Sequence, residues 1–416
     1  MKTQSITLSA LALVVLIMTA LPASANQAAA KADKQEATKA DEIAASLPPV
    51  TLDGKQYPAL APLGAVPTPK DNPTTPEKVA LGYQLFFDGR LGGDTSTPCS
   101  ACHNPALGWD FPTDLSLGYP GTVHWRNSQT IINSAYYQKL FWAGSSKSLE
   151  GQAKSAAKGG VAGNGEDDLM EARLALVPEY VKQFNTVFGD NYPKVSNAWK
   201  AVAAFERTLV QTDTPLDNYL LGDKNSLSKI QLNGKALFEG KAQCIACHNG
   251  ALASDQKNYN VGVPTNLRWE SDPLAQITFR YELYAKGSNE KMYRETKADP
   301  GVYFRGKRKE MKGKFRTPSI RYTKYSAPYM HNGTIATLAD VVDFYDRGGV
   351  AKDGRTTDFL QTKSPLIKPL GLTKEEKAEL LAFLDAFSGD RITMDYPKIP
   401  EYQPLFTEKE LMEVKK

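Results

Sequence analysis

The chain contains one pentapeptide pattern twice: Cys99-Ser100-Ala101-Cys102-His103 and Cys244-Ile245-Ala246-Cys247-His248. The two copies use all four cysteines and two of only four histidines in 416 residues. Cys-x-x-Cys-His is the covalent attachment signature of a c-type haem. The two thiols add to the haem vinyl groups, and the adjacent histidine sits beneath the porphyrin as an axial iron ligand. A chain that must close around two such groups has few folds open to it. A single copy would also suit a redox dithiol or half of a zinc site. Two copies, no spare cysteine, and the distance of His124 and His331 from either pair favour two covalent haems over zinc or disulfides.

The first residues agree with that chemistry. Met1-Lys2 and the apolar run from Leu8 to Leu21 read as a secretory signal, with Ala23-Ser24-Ala25 as its small-residue cleavage site. Residues 1–25 are therefore read as a signal peptide. The run is short for a membrane span, and the alternative is an uncleaved anchor. No other stretch is apolar enough to cross a bilayer. The expected product is a periplasmic protein with no membrane span in its mature chain, on the side where haem is attached. The formal charge of +4 is small and by itself argues neither way about nucleic acid. Lys307-Arg308-Lys309 stands beside Glu310 and reads as a solvated face, so no nucleic-acid partner is expected.

Residues 26–74 read as a flexible leader, rich in Ala, Lys, Gln, Asp and Glu at first and then in proline. Order begins at Thr75-Pro76-Glu77, a cap with proline in the first turn. Leu81, Leu85 and Phe86 follow at helical spacing, and the helix should end near Gly92-Gly93. Gly82, Leu85 and Phe86 are matched by Gly234, Leu237 and Phe238, each set preceding a Cys-x-x-Cys-His, so the chain is duplicated internally. Helices are predicted over 167–176, 178–188, 195–209, 216–221 and 337–345. Another opens at the capping box Thr373 to Glu376. Residues 258–303 read as loops and short helices. A boundary near Gly222 to Ser228 gives domains at 75–225 and 226–400, with a tail at 401–416. Strand patterns are scarce, so the class is all-α.

Taken in order, several pieces resemble the bacterial di-haem cytochrome c peroxidases and their relative MauG. They are Leu85-Phe86-Phe87-Asp88 with Arg90-Leu91, the first haem motif, Arg126-Asn127 through Asn133, Leu140-Phe141-Trp142, and Phe205-Glu206-Arg207-Thr208-Leu209. The second haem motif, Phe315-Arg316-Thr317-Pro318-Ser319-Ile320-Arg321 and Ala327-Pro328-Tyr329-Met330-His331-Asn332-Gly333 complete the set. The resemblance spans residues 75–390. It implies two cytochrome-c-like domains, each carrying one covalent haem c, a tryptophan between the haems, and a calcium ion near the domain interface. Trp142 matches the inter-haem tryptophan. Asn127, Ser326 and Pro328 match the calcium positions, with Ser326 where threonine is expected. Each would offer a side-chain or backbone oxygen, and water would complete the shell.

The resemblance also separates two branches. The iron above His248 needs a sixth ligand, which ordinary members supply as a methionine fourteen residues beyond the histidine matched here by His331. Tyr345 stands at that position, as tyrosine does in MauG. A thioether favours ferrous iron, whereas an anionic phenolate favours ferric iron and suits a store for an oxidising equivalent. The competing reading makes Tyr345 a core aromatic and gives the iron Met330 or another methionine. His331 is expected to hydrogen-bond near the second haem. The first iron is expected to be five-coordinate or water-bound, with Tyr119 at the position of a removable histidine and His124 as a rival ligand.

The first site departs from the family. Gln152, ten residues after Trp142, matches a pocket glutamine, but the family's catalytic glutamate is replaced by Ala162. Glu166 is the substitute acid–base if the glycine-rich loop 159–165 folds back, and otherwise an exposed carboxylate at a helix start. The resemblance then implies that hydrogen peroxide is used at the open iron above His103. The electrons would come through Trp142 from a redox partner protein or a protein substrate modified at Trp or Tyr. The alternatives are a cytochrome c peroxidase that detoxifies peroxide and a non-catalytic di-haem electron carrier.

Overall fold

A computed structural model describes residues 23–403. The apolar run of the signal and the end of the tail lie outside the described residues. The fold is built on one arrangement used twice. Thr75 caps the helix Pro76–Phe87, its hydroxyl accepting from the Lys78 amide. This helix crosses Val195–Glu206 at Gly82, where a Cβ would stand 1.9 Å from the Ala201 carbonyl oxygen. Ser228 and Gln231 form a capping box on Lys229–Glu239, and Thr373 and Glu376 form another on Lys374–Asp385. Those two helices cross at Gly234, where a Cβ would stand 2.0 Å from the Glu379 carbonyl oxygen. Only glycine lets the backbones approach so closely. Phe205 and Phe383 sit at matching places beside the two glycines. The repeat in the sequence is thus a repeat in packing: a glycine-notched helix pair, then a Cys-x-x-Cys-His turn.

Each pair seeds a hydrophobic core. The first gathers Leu85, Phe86, Trp109, Tyr180, Phe184 and Phe205, and the second Phe238, Ile245, Leu380, Phe383 and Phe387. The chain ends cross between them. Residues 26–74, expected to be a flexible leader, contain the helix Ala23–Ser46 and the antiparallel strands Val50–Leu52 and Lys55–Tyr57. Val50, Leu52, Tyr57 and Leu60 pack into the second core, because their apolar partners lie far along the chain. Residues beyond Ser388 return to the first core through Ile392, Met394 and Ile399, and the Trp109 indole donates to the Ile392 carbonyl at 2.8 Å. Leu216 packs with the second core. The boundaries 75–225 and 226–400 therefore do not separate the two cores, since both straps and the Pro215–Leu221 helix cross them.

Arg321 pins this crossing. Its guanidinium is bidentate to Asp217 at 2.8 and 2.9 Å and also donates to the carbonyls of Ala251 and Ala61. The segment 258–303 is more ordered than expected. It contains the thirteen-residue helix Pro273–Ala285, capped by Asp272, over a third cluster of Trp125, Val161, Trp269, Phe279 and Phe304. The strands among the described residues form three small two-stranded sheets. The fold is mostly helical. No helix among the described residues is long and apolar enough to cross a membrane.

Candidate functional site

The two Cys-x-x-Cys-His turns are held alike. The His103 amide donates to the Cys99 carbonyl at 3.0 Å, and the His248 amide to that of Cys244 at 2.8 Å. His103 Nδ1 lies 3.2 Å from the Trp109 carbonyl oxygen, and His248 Nδ1 3.2 Å from that of Ala253. A carbonyl can only accept, so each Nδ1 carries the proton. Each Nε2 is left with its lone pair, the form in which imidazole binds iron. All four cysteines are free. Burial, then the charges of Glu206 and Cys102, pushes the Cys99 thiol up to about 12. Burial likewise takes Cys244 and Cys247 to about 12. No cluster of three or more His, Cys, Asp or Glu residues fit for a metal occurs among the described residues. Neutral thiols beside a histidine with a free Nε2 fit a haem bound by thioethers.

A large, mostly apolar cavity opens on the second turn. It is lined by Cys244, Cys247 and His248, by Phe238, Leu380 and Leu384 of the notched pair, and by Tyr345 and Trp142. Thr337 caps the helix Leu338–Asp346, which carries Tyr345. Burial first, and then Cys247 and Cys244, raises the Tyr345 phenol above its ordinary range. Its hydroxyl has no hydrogen-bond partner among the described residues. Met330, the rival ligand, lies on the same cavity wall.

Trp142 is fixed by its indole N–H, which donates to the Asn127 carbonyl at 2.8 Å. Its ring meets His331 edge-on, with centroids 6.4 Å apart. His331 stacks on Phe315 at 3.7 Å. Burial pushes its imidazole down to about 3, so it is neutral. Stacking on Phe315 holds the ring among the described residues. Behind it, buried Arg126 is bidentate to buried Asp299 at 2.5 and 2.9 Å.

Asn127, Ser326 and Pro328 all line this cavity. The Asn127 amide group donates to the Thr113 carbonyl at 3.0 Å, which leaves Oδ1 without a partner. An unpartnered amide oxygen near backbone carbonyls is the donor chemistry a hard cation takes. Two carboxyls are buried where the sequence reading assigned no role. Asp110 is 1% exposed, neither of its oxygens has a partner, and burial raises it to about 8. Glu206 faces Cys99 and is likewise raised to about 8 by burial. Nothing in the local sequence pattern marks either as buried.

At the first turn the glycine loop does fold back. The Gly93 amide donates to the Gly163 carbonyl at 2.7 Å, and the Tyr119 amide to that of Val161 at 3.2 Å. The fold-back carries Ala162, not Glu166. Glu166 is exposed at the start of Asp167–Ala175, with its carboxylate unused as a cap. Beside it Lys158 and Asp167 form an ion pair at 2.8 Å. Gln152 is half-buried on Leu149–Lys158 and has no side-chain hydrogen bond among the described residues. His124 stacks on Trp125 at 3.8 Å and accepts from the Arg126 amide at 3.1 Å.

Comparison with known proteins agrees with these features. A family model described as di-haem cytochrome c peroxidase matches residues 76–225. Cytochrome-c peroxidase IdrP1 of Denitromonas iodatirespirans is 54% identical over 357 residues, covering 85% of this chain and 93% of that protein. Methylamine utilization protein MauG of Methylorubrum extorquens is 32% identical over 337 residues, covering 81% of this chain and 85% of that protein. The crystal structure of a MauG-like protein associated with microbial copper homeostasis superposes with a TM-score of 0.65 at 29% identity, covering 78% of this chain and 93% of that one.

Proposed function

The chain belongs to the di-haem cytochrome c peroxidase family, and from that premise we propose that it is a periplasmic peroxidase oxidising a partner protein with hydrogen peroxide. The family implies two haem c groups; the proposal attaches them to Cys99 and Cys102, and to Cys244 and Cys247. One observation carries the reading: His248, Tyr345 and Trp142 line a single cavity. Bound haem iron supplies the redox chemistry that passes two electrons to peroxide. With two protons from solvent, each hydrogen peroxide becomes two waters.

The chain's own residues do the rest. The Trp109 and Ala253 carbonyls hold His103 and His248 with Nε2 free, so each would offer that nitrogen to iron. The unpartnered Tyr345 hydroxyl would give up its proton and offer an anionic oxygen to the second iron. Trp142, its indole locked to Asn127, would carry charge between the two motif sites. Asn127 Oδ1, with carbonyls of Ser326 and Pro328, would hold calcium beside it. Gln152 would orient peroxide by hydrogen bonds. It cannot take a proton readily, and Ala162 leaves no carboxyl at the family's acid–base position, so water must carry the proton.

A second reading, oxidation of Trp or Tyr on a substrate protein, is favoured by Tyr345 and by the likeness to MauG. The test mixes the di-haem protein with peroxide and a reduced monohaem cytochrome c. Two donors oxidised per peroxide support the peroxidase. No donor oxidation but covalent change in a co-purifying protein supports the second reading. A haem spectrum unmoved by peroxide supports an electron carrier instead.

A further inference from the structure

The helix Pro273–Ala285 is apolar on two faces. Ala275, Thr278, Phe279 and Leu283 face inward and are buried. Leu274, Ile277, Tyr281 and Tyr284 recur at spacings of three and four on the opposite face, 43%, 58%, 44% and 74% exposed. Single exposed apolar residues are ordinary, but a contiguous row of four on one helix face marks an interaction surface. Tyrosine is among the residues that carry binding energy at such surfaces.

The rim is basic. Residues 280–314 hold eleven Lys and Arg against five Asp and Glu, a surplus of six in a chain whose whole formal charge is +4. One of the five acids, Asp299, is buried and spent on Arg126. Lys286, Lys291, Lys297 and Lys309 are exposed. A second copy pairing the same face two-fold would set this surplus against itself, so the charge selects an acidic partner.

The face also adjoins the first haem turn. The Thr278 hydroxyl donates to the Val123 carbonyl at 2.5 Å. Val123 pairs with Leu117, whose carbonyl lies 3.8 Å from Cys102 Sγ. On the other side, a Cβ at Gly160 in the glycine loop would meet Tyr281 Oη at 2.4 Å. Only a two-strand ribbon and one loop separate the row from that turn.

We infer that this face is the docking site for an acidic redox protein, with Ile277 and Tyr284 at its centre and the lysines as its rim. The inference rests on the proposed use of a protein partner and names the partner's charge and the face it meets. Opposite charge steers encounter, and the apolar centre holds the complex once formed. Two one-electron donors dock in turn for each peroxide consumed.

The experiment uses the full di-haem protein, an acidic monohaem cytochrome c and a basic one. Binding is measured by calorimetry without peroxide, so it does not depend on turnover. The expected result is that the acidic cytochrome binds and the basic one does not, with affinity falling steeply as salt rises. Ile277→Glu with Tyr284→Glu, and separately Lys291→Glu with Lys297→Glu, should each weaken binding by about tenfold or more. KM for the acidic donor should rise by a similar factor while oxidation of a small dye stays unchanged. Equal binding of the two cytochromes, or wild-type affinity in both double variants, overturns the inference. So does a wild-type dimer that the Ile277→Glu, Tyr284→Glu pair splits, which would make this face a self-interface. If the acidic cytochrome binds here yet is not oxidised when peroxide is added, the docking face stands and the peroxidase reading falls.

Discussion

Trp142→Phe separates the two jobs given to this indole. Phenylalanine keeps most of the apolar bulk, so repacking should cost less than about 1.5 kcal/mol. The 2.8 Å bond to the Asn127 carbonyl is lost. Asn127 is buried, and a buried acceptor left without its donor costs about 1–3 kcal/mol. The sum is roughly 2–4 kcal/mol, within the stability of an ordinary domain, so the variant should fold and keep its haems. A urea melt at constant haem content reads that loss. The same variant, followed optically at both haems after one equivalent of peroxide, reads the electronic role. Loss of the easily oxidised indole should slow the change at the second haem while the first still reacts. Both haems responding as fast as in wild type refutes the relay. Unchanged stability refutes the claim that the indole N–H ties Trp142 to Asn127.

Tyr345→Met should raise the second haem's reduction potential and make it easier to reduce; an unchanged spectrum and potential would mean that Tyr345 is only core. Arg126→Met should lower stability at pH 7 by about 3–5 kcal/mol, because it leaves buried Asp299 unpaired. In wild type, burial alone would raise the Asp299 carboxyl, but Arg126 outweighs it and the net shift is downward. That stabilisation is present above the unfolded carboxylate pKa of about 3.9 and is lost as pH falls through the depressed folded value. Denaturant melts from pH 7 to 3 should therefore show the gap between wild type and variant narrowing; a constant gap would contradict the pairing. Glu166→Gln should change the rate of reaction with peroxide by less than about twofold, given its exposure, whereas Ala162→Glu should raise it by about tenfold or more. Stopped-flow mixing distinguishes these, and a large loss in Glu166→Gln would show that the loop moves.

The two alike Cys-x-x-Cys-His turns were legible because a motif of fixed residues at fixed spacing is local. The glycine-notched pairs were legible because Gly82 and Gly234 recur with Leu and Phe at the same offsets. Caps at Thr75 and Thr373 were local, and local rules found them. What escaped was non-local. Val50, Leu52 and Leu60 lie in an aperiodic, proline-rich stretch, and only the distant Phe238 and Phe387 explain their burial. The helix Pro273–Ala285 hid because two apolar faces erase the single stripe by which an amphipathic helix is known. Glu166 and Ala162 show the limit differently: spacing named the missing acid, but only the fold shows its candidate substitute exposed at a helix start. Asp110 and Glu206 could not be singled out, since burial of a carboxyl is a property of the assembled fold.

The central claim is a protein with one open iron site and one closed by the chain. It is tested most directly by electron spin resonance of the ferric protein, on material whose mass exceeds the polypeptide by two haems, before and after one equivalent of hydrogen peroxide. The account predicts a high-spin signal from the iron at His103 that disappears on mixing. Two low-spin signals that peroxide leaves unchanged would contradict it and make the chain an electron carrier.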